Sequence, residues 1–167
     1  MKKIFVSIAG LVILIMFSMV PFFNSVVIED GKTARSLAFF DANEGSEFSI
    51  EYIHSIHKTP VREIYQVRHE EILQTEMRFQ EFGVGMPSGA AEGEVFAQKG
   101  ENYILSNMKR TFPSLDIRIG QIIANHTLLL NGNKYPFSAF SEKGSWVSIK
   151  VEKLNIWQRL IGGKKLG

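Results

Sequence analysis

The sequence predicts a mainly β fold, an antiparallel sandwich or barrel of about eight short strands preceded by one N-terminal transmembrane helix. Three observations carry that prediction. Twenty residues from Ile4 to Phe23 hold no charge, and after Val27 apolar and polar residues alternate with a period of two through most of the chain. Turn signals separate the alternating runs without a convincing helix between them, which favours antiparallel pairing over an α+β arrangement.

The uncharged stretch IFVSIAGLVILIMFSMVPFF is long enough, at about 1.5 Å per helical residue, to span roughly 30 Å of hydrocarbon. The run Phe22-Phe23-Asn24-Ser25-Val26-Val27 offers no small-residue cleavage site, so the segment reads as an uncleaved anchor rather than a removed signal. Lys2 and Lys3 flank it on the N-terminal side. By the positive-inside rule they place the N-terminus in the cytoplasm and the rest outside, as a single-pass protein of the cell membrane. Residues 1–27 are then the anchor or signal segment, 28–153 an extracytoplasmic β-domain, and 154–167 a tail that reads as a short amphipathic helix, its apolar residues accompanied by Arg159, Lys164 and Lys165.

Each strand follows from its alternation. Phe48, Ile50, Tyr52 and His54 share one face while Ser49 and Glu51 share the other. Val61, Glu63, Tyr65 and Val67 alternate with Arg62, Ile64, Gln66 and Arg68, and Leu73, Thr75, Met77 and Phe79 with Gln74, Glu76, Arg78 and Gln80. Glu70 to Phe82 is rich in helix formers, but its period is nearer two than 3.6. Tyr103-Ile104-Leu105 is a short strand, and Leu115, Ile117 and Ile119 alternate until Gly120. Thr127 to Leu130 meets Asn131-Gly132, a tight-turn signal that returns the chain through Lys134-Tyr135, and Val147, Ile149 and Val151 close the series after the Lys143-Gly144 turn. Gly83 to Gly93 is the least regular stretch, a small-residue loop of a length that often carries function.

Composition excludes several function classes. Of the 167 residues none is cysteine, which removes disulfides, thiolate zinc sites, iron–sulfur clusters and a thiol nucleophile. Beyond Lys2 and Lys3 the chain carries seventeen basic and seventeen acidic residues, a neutral body unsuited to nucleic acid. Gly83-Val84-Gly85 lacks the third glycine and following helix of a dinucleotide fingerprint. Ser55 stands beside His54 without a G-x-S-x-G elbow, so no catalytic residue is assigned. His54 and His57, three apart, point to opposite faces of a strand unless the chain bends before Pro60, and no cofactor is implied. A polar site here requires Pro60 to turn the chain so that Glu63 returns toward His54 and Ser55.

At YIHSIHKTPVREIY (Tyr52 to Tyr65), FGVGMPSG from Phe82, SLDIRIG and HTLLLNG, the sequence resembles the domain of unknown function eighteen-fifty, a family of small exported bacterial and archaeal proteins often encoded beside TAXI-type TRAP transporters. The resemblance covers Ala38 to Glu152 and is most specific at its first motif, an aromatic, then His-Ser, then Thr-Pro-Val-x-Glu. It places His54, Ser55, Pro60, Glu63, Gly83, Gly85 and His126 at characteristic positions, and with Tyr52 these are the binding candidates. It implies no activity. What it implies is an accessory protein whose partners are the membrane and a TRAP permease or TAXI-type solute-binding protein. Two alternatives follow from the residues: a metal-dependent hydrolase that joins His54, Glu63 and His126, and an envelope-binding module with Tyr135, Phe137 and Phe140 as an exposed platform.

Overall fold

The computed structural model describes residues 2–83, 85–121 and 125–167, with the side chains of 2–6 left aside. It opens on α1 (Lys2–Ser18), then β1 (Phe23–Asp30), β2 (Ser36–Asp41), β3 (Glu47–Ile53), β4 (Pro60–Arg68) and β5 (Glu71–Phe79). There follow β6 (Val95–Lys99), β7 (Asn102–Phe112), β8 (Leu115–Arg118), β9 (Thr127–Leu130) and β10 (Asn133–Pro136), a 3-10 turn at Phe137–Ala139, β11 (Trp146–Leu154), α2 (Ile156–Ile161) and β12 (Lys164–Lys165). The strands form a five-stranded sheet in the order β12-β2-β1-β11-β8 and a seven-stranded sheet in the order β10-β9-β3-β4-β5-β7-β6. All pairings are antiparallel except β12 on β2.

The alternation read from the sequence is the alternation that packs. Val26, Ile28, Phe40, Val147 and Ile149 of the smaller sheet meet Phe48, Ile50, Tyr65, Ile72 and Leu128 of the larger in one buried cluster. That contact makes the fold a sandwich. Asn131 and Gly132 take positive φ of 51° and 80°, the backbone a two-residue hairpin with the strand twist demands, and β9 turns directly into β10.

Four strands were not legible as such, each for a physical reason. In β1, Val26 and Ile28 face the sandwich core while Val27 joins Phe39 and Leu154 on the opposite face. A strand buried on both sides shows no alternation. Here it reads as a continuation of the apolar helix. The β-body therefore begins at Phe23, inside the stretch 1–27 assigned to the anchor. β2 shares that double burial, β6 is a largely exposed edge strand, and β12 is two residues long.

The expected transmembrane helix is corrected in length. α1 has seventeen residues, about 25 Å, because it stops at Ser18 and residues 19–22 turn the chain into β1. Among the described residues no helix is long and apolar enough to cross a membrane.

The tail is tied to both the sheet and α1. Asn155 and Gln158 form a reciprocal capping box, each side chain accepting from the other's backbone N–H at 2.8 Å. The Arg159 guanidinium lies 4.4 Å over the Phe23 ring and 5.4 Å from that of Phe39, so α2 covers the outer face of the five-stranded sheet. Asp41 pairs with Arg159 and with Lys165 at 2.7 Å. The Trp157 indole N–H donates to Ser18 Oγ at 2.9 Å and Asn155 Nδ2 to the Met19 carbonyl at 3.3 Å.

Candidate functional site

Seven strands against five leave one end of the larger sheet without a facing sheet. On that end Val61, Met77, Phe79, Leu105 and Met108 form a second core, with Tyr52, Met86, Phe96 and Tyr103 packed on it. Phe82 stacks on Phe96 at 5.9 Å and touches Tyr103 at 4.4 Å, which turns the following segment back across the sheet. The residues from Gly85 to Ala91 then roof an open cleft of about 580 Å³ over Glu63, Gln74, Met77 and Arg110.

Glu63 reaches this cleft because β4 alternates. It pairs in register with Ile50 of β3 and Met77 of β5, and so belongs to the inner face beside Val61 and Tyr65. The Tyr65 hydroxyl donates to Glu63 Oε2 at 2.8 Å. Burial raises the Glu63 carboxyl above its ordinary range, and the Tyr65 hydrogen bond opposes that only in part. Burial and then the Glu63 charge raise both Tyr52 and Tyr65, which keeps both phenols protonated. The Tyr52 ring lies 4.7 Å from that of His126, which extends the chain of polar aromatics to the start of β9.

Gln74 completes the floor. A bulge at Thr75 of β5, opposite Ile64 and Tyr65 of β4, shifts the parity, so Gln74 shares a cleft with Met77 although three residues separate them. Strict alternation puts the two on opposite faces, and the sequence reading missed Gln74 for that reason. Tyr65 was placed on the face of Glu63 without being recognised as its hydroxyl partner. Arg110 was missed because β7 continues through Asn107, whose φ of 57° interrupts the strand pattern. Arg110 pairs with Glu94 at 3.1 Å.

The remaining candidates form a second group in the β3–β4 turn. His54 is 8% exposed. Its N–H donates to the Thr59 carbonyl at 2.9 Å, its carbonyl accepts from Lys58, and its Nδ1 accepts from the His57 N–H at 3.3 Å. The two imidazoles stack at 5.0 Å. Gly83 is the surface on which His57 lies, since a Cβ there would fall 2.2 Å from His57 Nε2. Ser55 is exposed and gives its carbonyl to Lys58 Nζ, while Pro60 opens β4 opposite Ile53. The structure thus places Glu63 and Gly85 in the cleft, sets Tyr52 against His126, and packs His54 and Gly83 around His57. Val84 lies outside the described residues.

Two arrangements weighed from the sequence are corrected. Among the described residues no group of three His, Cys, Asp or Glu side chains is placed to hold a metal ion, so His54, Glu63 and His126 do not make a ligand set. Glu63 turns to Tyr65, His126 to Tyr52, and His54 to its own turn. The aromatic platform is absent as well: Phe137 is fully buried, and Tyr135 and Phe140 pack against the same core.

A β-sandwich with a polar cleft at the uncovered end of its larger sheet is the class of protein these features define. Residues 48–137 match the family model described as Domain of unknown function (DUF1850), and the chain belongs to that family. The match runs from β3 to the 3-10 turn and contains all eight candidates. No curated protein and no solved structure matches the chain.

Glu63 gives the site a testable pH signature. Its folded pKa is raised above an ordinary 4.5, so the native state holds the proton more tightly than the unfolded chain. Stability is expected to rise as pH falls from neutral into the window between the raised value and 4.5, by about 1.4 kcal/mol for each unit of elevation. Glu63→Gln should flatten this rise and leave the variant more stable than the parent at pH 8, as urea unfolding would read. Asp41 acts oppositely at lower pH. The Arg159 hydrogen bond, helped by Lys165, lowers its carboxyl to about 2, and the stabilisation it gives above 3.8 is lost as pH falls toward that value.

Proposed function

We propose that this chain is a non-enzymatic accessory protein of a TAXI-type TRAP solute importer, held at the extracytoplasmic face of the cell membrane through α1, with the permease or the solute-binding protein as its partner. The observation that carries the membrane reading is the Trp157 to Ser18 hydrogen bond, which joins α2 to the end of α1. Phe17, Met19, Val20, Phe22, Trp157, Leu160 and Ile161 are all exposed around that junction, with Leu160 at 70% and Ile161 at 82%. Apolar exposure of this kind marks a surface covered in the working state. The importer reading rests on the company the family keeps. The non-enzymatic reading is supported by Glu63, which accepts from the Tyr65 hydroxyl, and by His54, whose Nδ1 accepts from the backbone of its own turn.

Isolation of the tagged full-length chain from native membranes tests the proposal. The permease or solute-binding protein is expected to co-purify, and deletion of the gene is expected to reduce uptake through that importer. Unchanged uptake together with purification free of both partners would overturn it.

A further inference from the structure

We propose that the cleft between β4, β5 and the loop from Gly85 to Ala91 binds a primary ammonium group carried on a short aliphatic chain, with Glu63 and Gln74 as its hydrogen-bond acceptors. Three features of the cleft lead there. Glu63 spends Oε2 on the Tyr65 hydroxyl, and among the described residues no donor reaches Oε1. Gln74 is 5% exposed and lines the same cleft, yet among the described residues its carboxamide makes no hydrogen bond. The carboxamide is open to the cleft, so its carbonyl is available to accept from a ligand in place of water. Met77 and Met86 form the apolar wall next to these acceptors, a flexible surface suited to methylene groups.

The charge selects an amine over an alcohol. Glu63 has no Lys or Arg partner among the described residues, and the cation nearest in the lining, Arg110, is paired with Glu94. A buried carboxylate without a counter-ion favours a cationic guest. A primary ammonium brings three N–H donors, enough for the free Glu63 oxygen and the Gln74 carbonyl together. A quaternary ammonium brings the charge but no donor. The proposal stands independently of the membrane and importer reading, since the cleft lies on the larger sheet and α1 and α2 attach through the smaller.

The test uses the full-length chain in non-ionic detergent, labelled at the methionine methyl carbons. n-Butylammonium is expected to shift the Met77 and Met86 resonances saturably and leave Met108, which does not line the cleft, in place. n-Butanol and tetramethylammonium at equal concentration should not. Glu63→Gln and, separately, Gln74→Leu should each weaken n-butylammonium binding, the former about tenfold or more, as expected for loss of a charge-assisted hydrogen bond. Equal shifts with n-butanol, equal shifts with tetramethylammonium, or no saturable shift with n-butylammonium would overturn the proposal. The comparison of the three probes on the unmodified chain decides even where a variant fails to fold.

Discussion

Phe48→Ala is expected to destabilise the fold by about 3–5 kcal/mol, the cost of removing a buried phenylalanine and leaving a cavity. Phe48 is 2% exposed, packs edge-on against Phe40 of the smaller sheet at 5.7 Å, and stacks on Tyr65 at 5.4 Å. It therefore joins the two sheets at the level of the cleft. For a chain of this length each kcal/mol lowers the melting temperature by about 2–4 °C, so thermal unfolding should move down by roughly 6–20 °C. Ser49→Ala, on the opposite face of β3, should stay within about 0.5 kcal/mol of the parent. The loss should also reach Glu63: with its stacking partner gone the Tyr65 ring is less constrained, and the hydroxyl on Glu63 Oε2 is held less firmly. A loss below about 1 kcal/mol would contradict the inter-sheet role given to Phe48.

How much of this was legible in the sequence follows from where the period of two survives. β3 and β4 carry one polar and one apolar face, and Phe48, Ile50, Val61 and Tyr65 were placed on the core face that they occupy. β5 was legible as a strand but not in its facing. Its bulge at Thr75 against β4 reverses parity, so Leu73 and Met77, read as neighbours on one face, serve different faces. β1 was hidden because Val26, Val27 and Ile28 are all buried, two against the other sheet and one beneath α2. That double burial depends on the tail folding back more than a hundred residues later, which no local pattern records.

The site was legible to the same degree. Glu63 stood out as a carboxylate on an apolar face, and Gly85 as part of a functional-length loop, and both line the cleft. Tyr52 and His126, far apart in sequence, meet because β3 pairs with β9 through Glu51 and Thr127. The expectation that His54 and Ser55 would gather around Glu63 treated the turn as a bend within one surface. The turn instead closes on itself through His54, His57, Lys58 and Thr59, with Lys58 at a φ of 60°. The partner of Glu63 came from its own strand two residues on.

The membrane reading predicts a sharp contrast between the two tryptophans. Trp146 and Trp157 sit at opposite ends of the smaller sheet, since β11 runs from Trp146 to Leu154, eight steps of roughly 3.3 Å or about 26 Å, before α2 begins. Trp157 is half exposed beside the end of α1, an amphipathic ring of the kind that settles at the interface between hydrocarbon and water. Trp146 lies on Gly31 at the far end, where a Cβ on that glycine would fall 2.5 Å from the indole. Single-tryptophan chains made by Trp146→Phe and Trp157→Phe would be reconstituted into phosphatidylethanolamine and phosphatidylglycerol vesicles with brominated acyl chains. The chain that keeps Trp157 should lose most of its emission to bromine, and the chain that keeps Trp146 almost none. A 26 Å offset carries Trp146 well beyond the acyl region when Trp157 is at its boundary, because the hydrocarbon core is only about 30 Å thick in all. Replacement of Leu160 and Ile161 by serine should then reduce quenching of Trp157 without altering the melting temperature, since both side chains are exposed in the fold and, on the membrane reading, meet only lipid. Equal quenching of the two tryptophans would place the sheet flat on the bilayer, and quenching of neither would remove α2 from the membrane altogether.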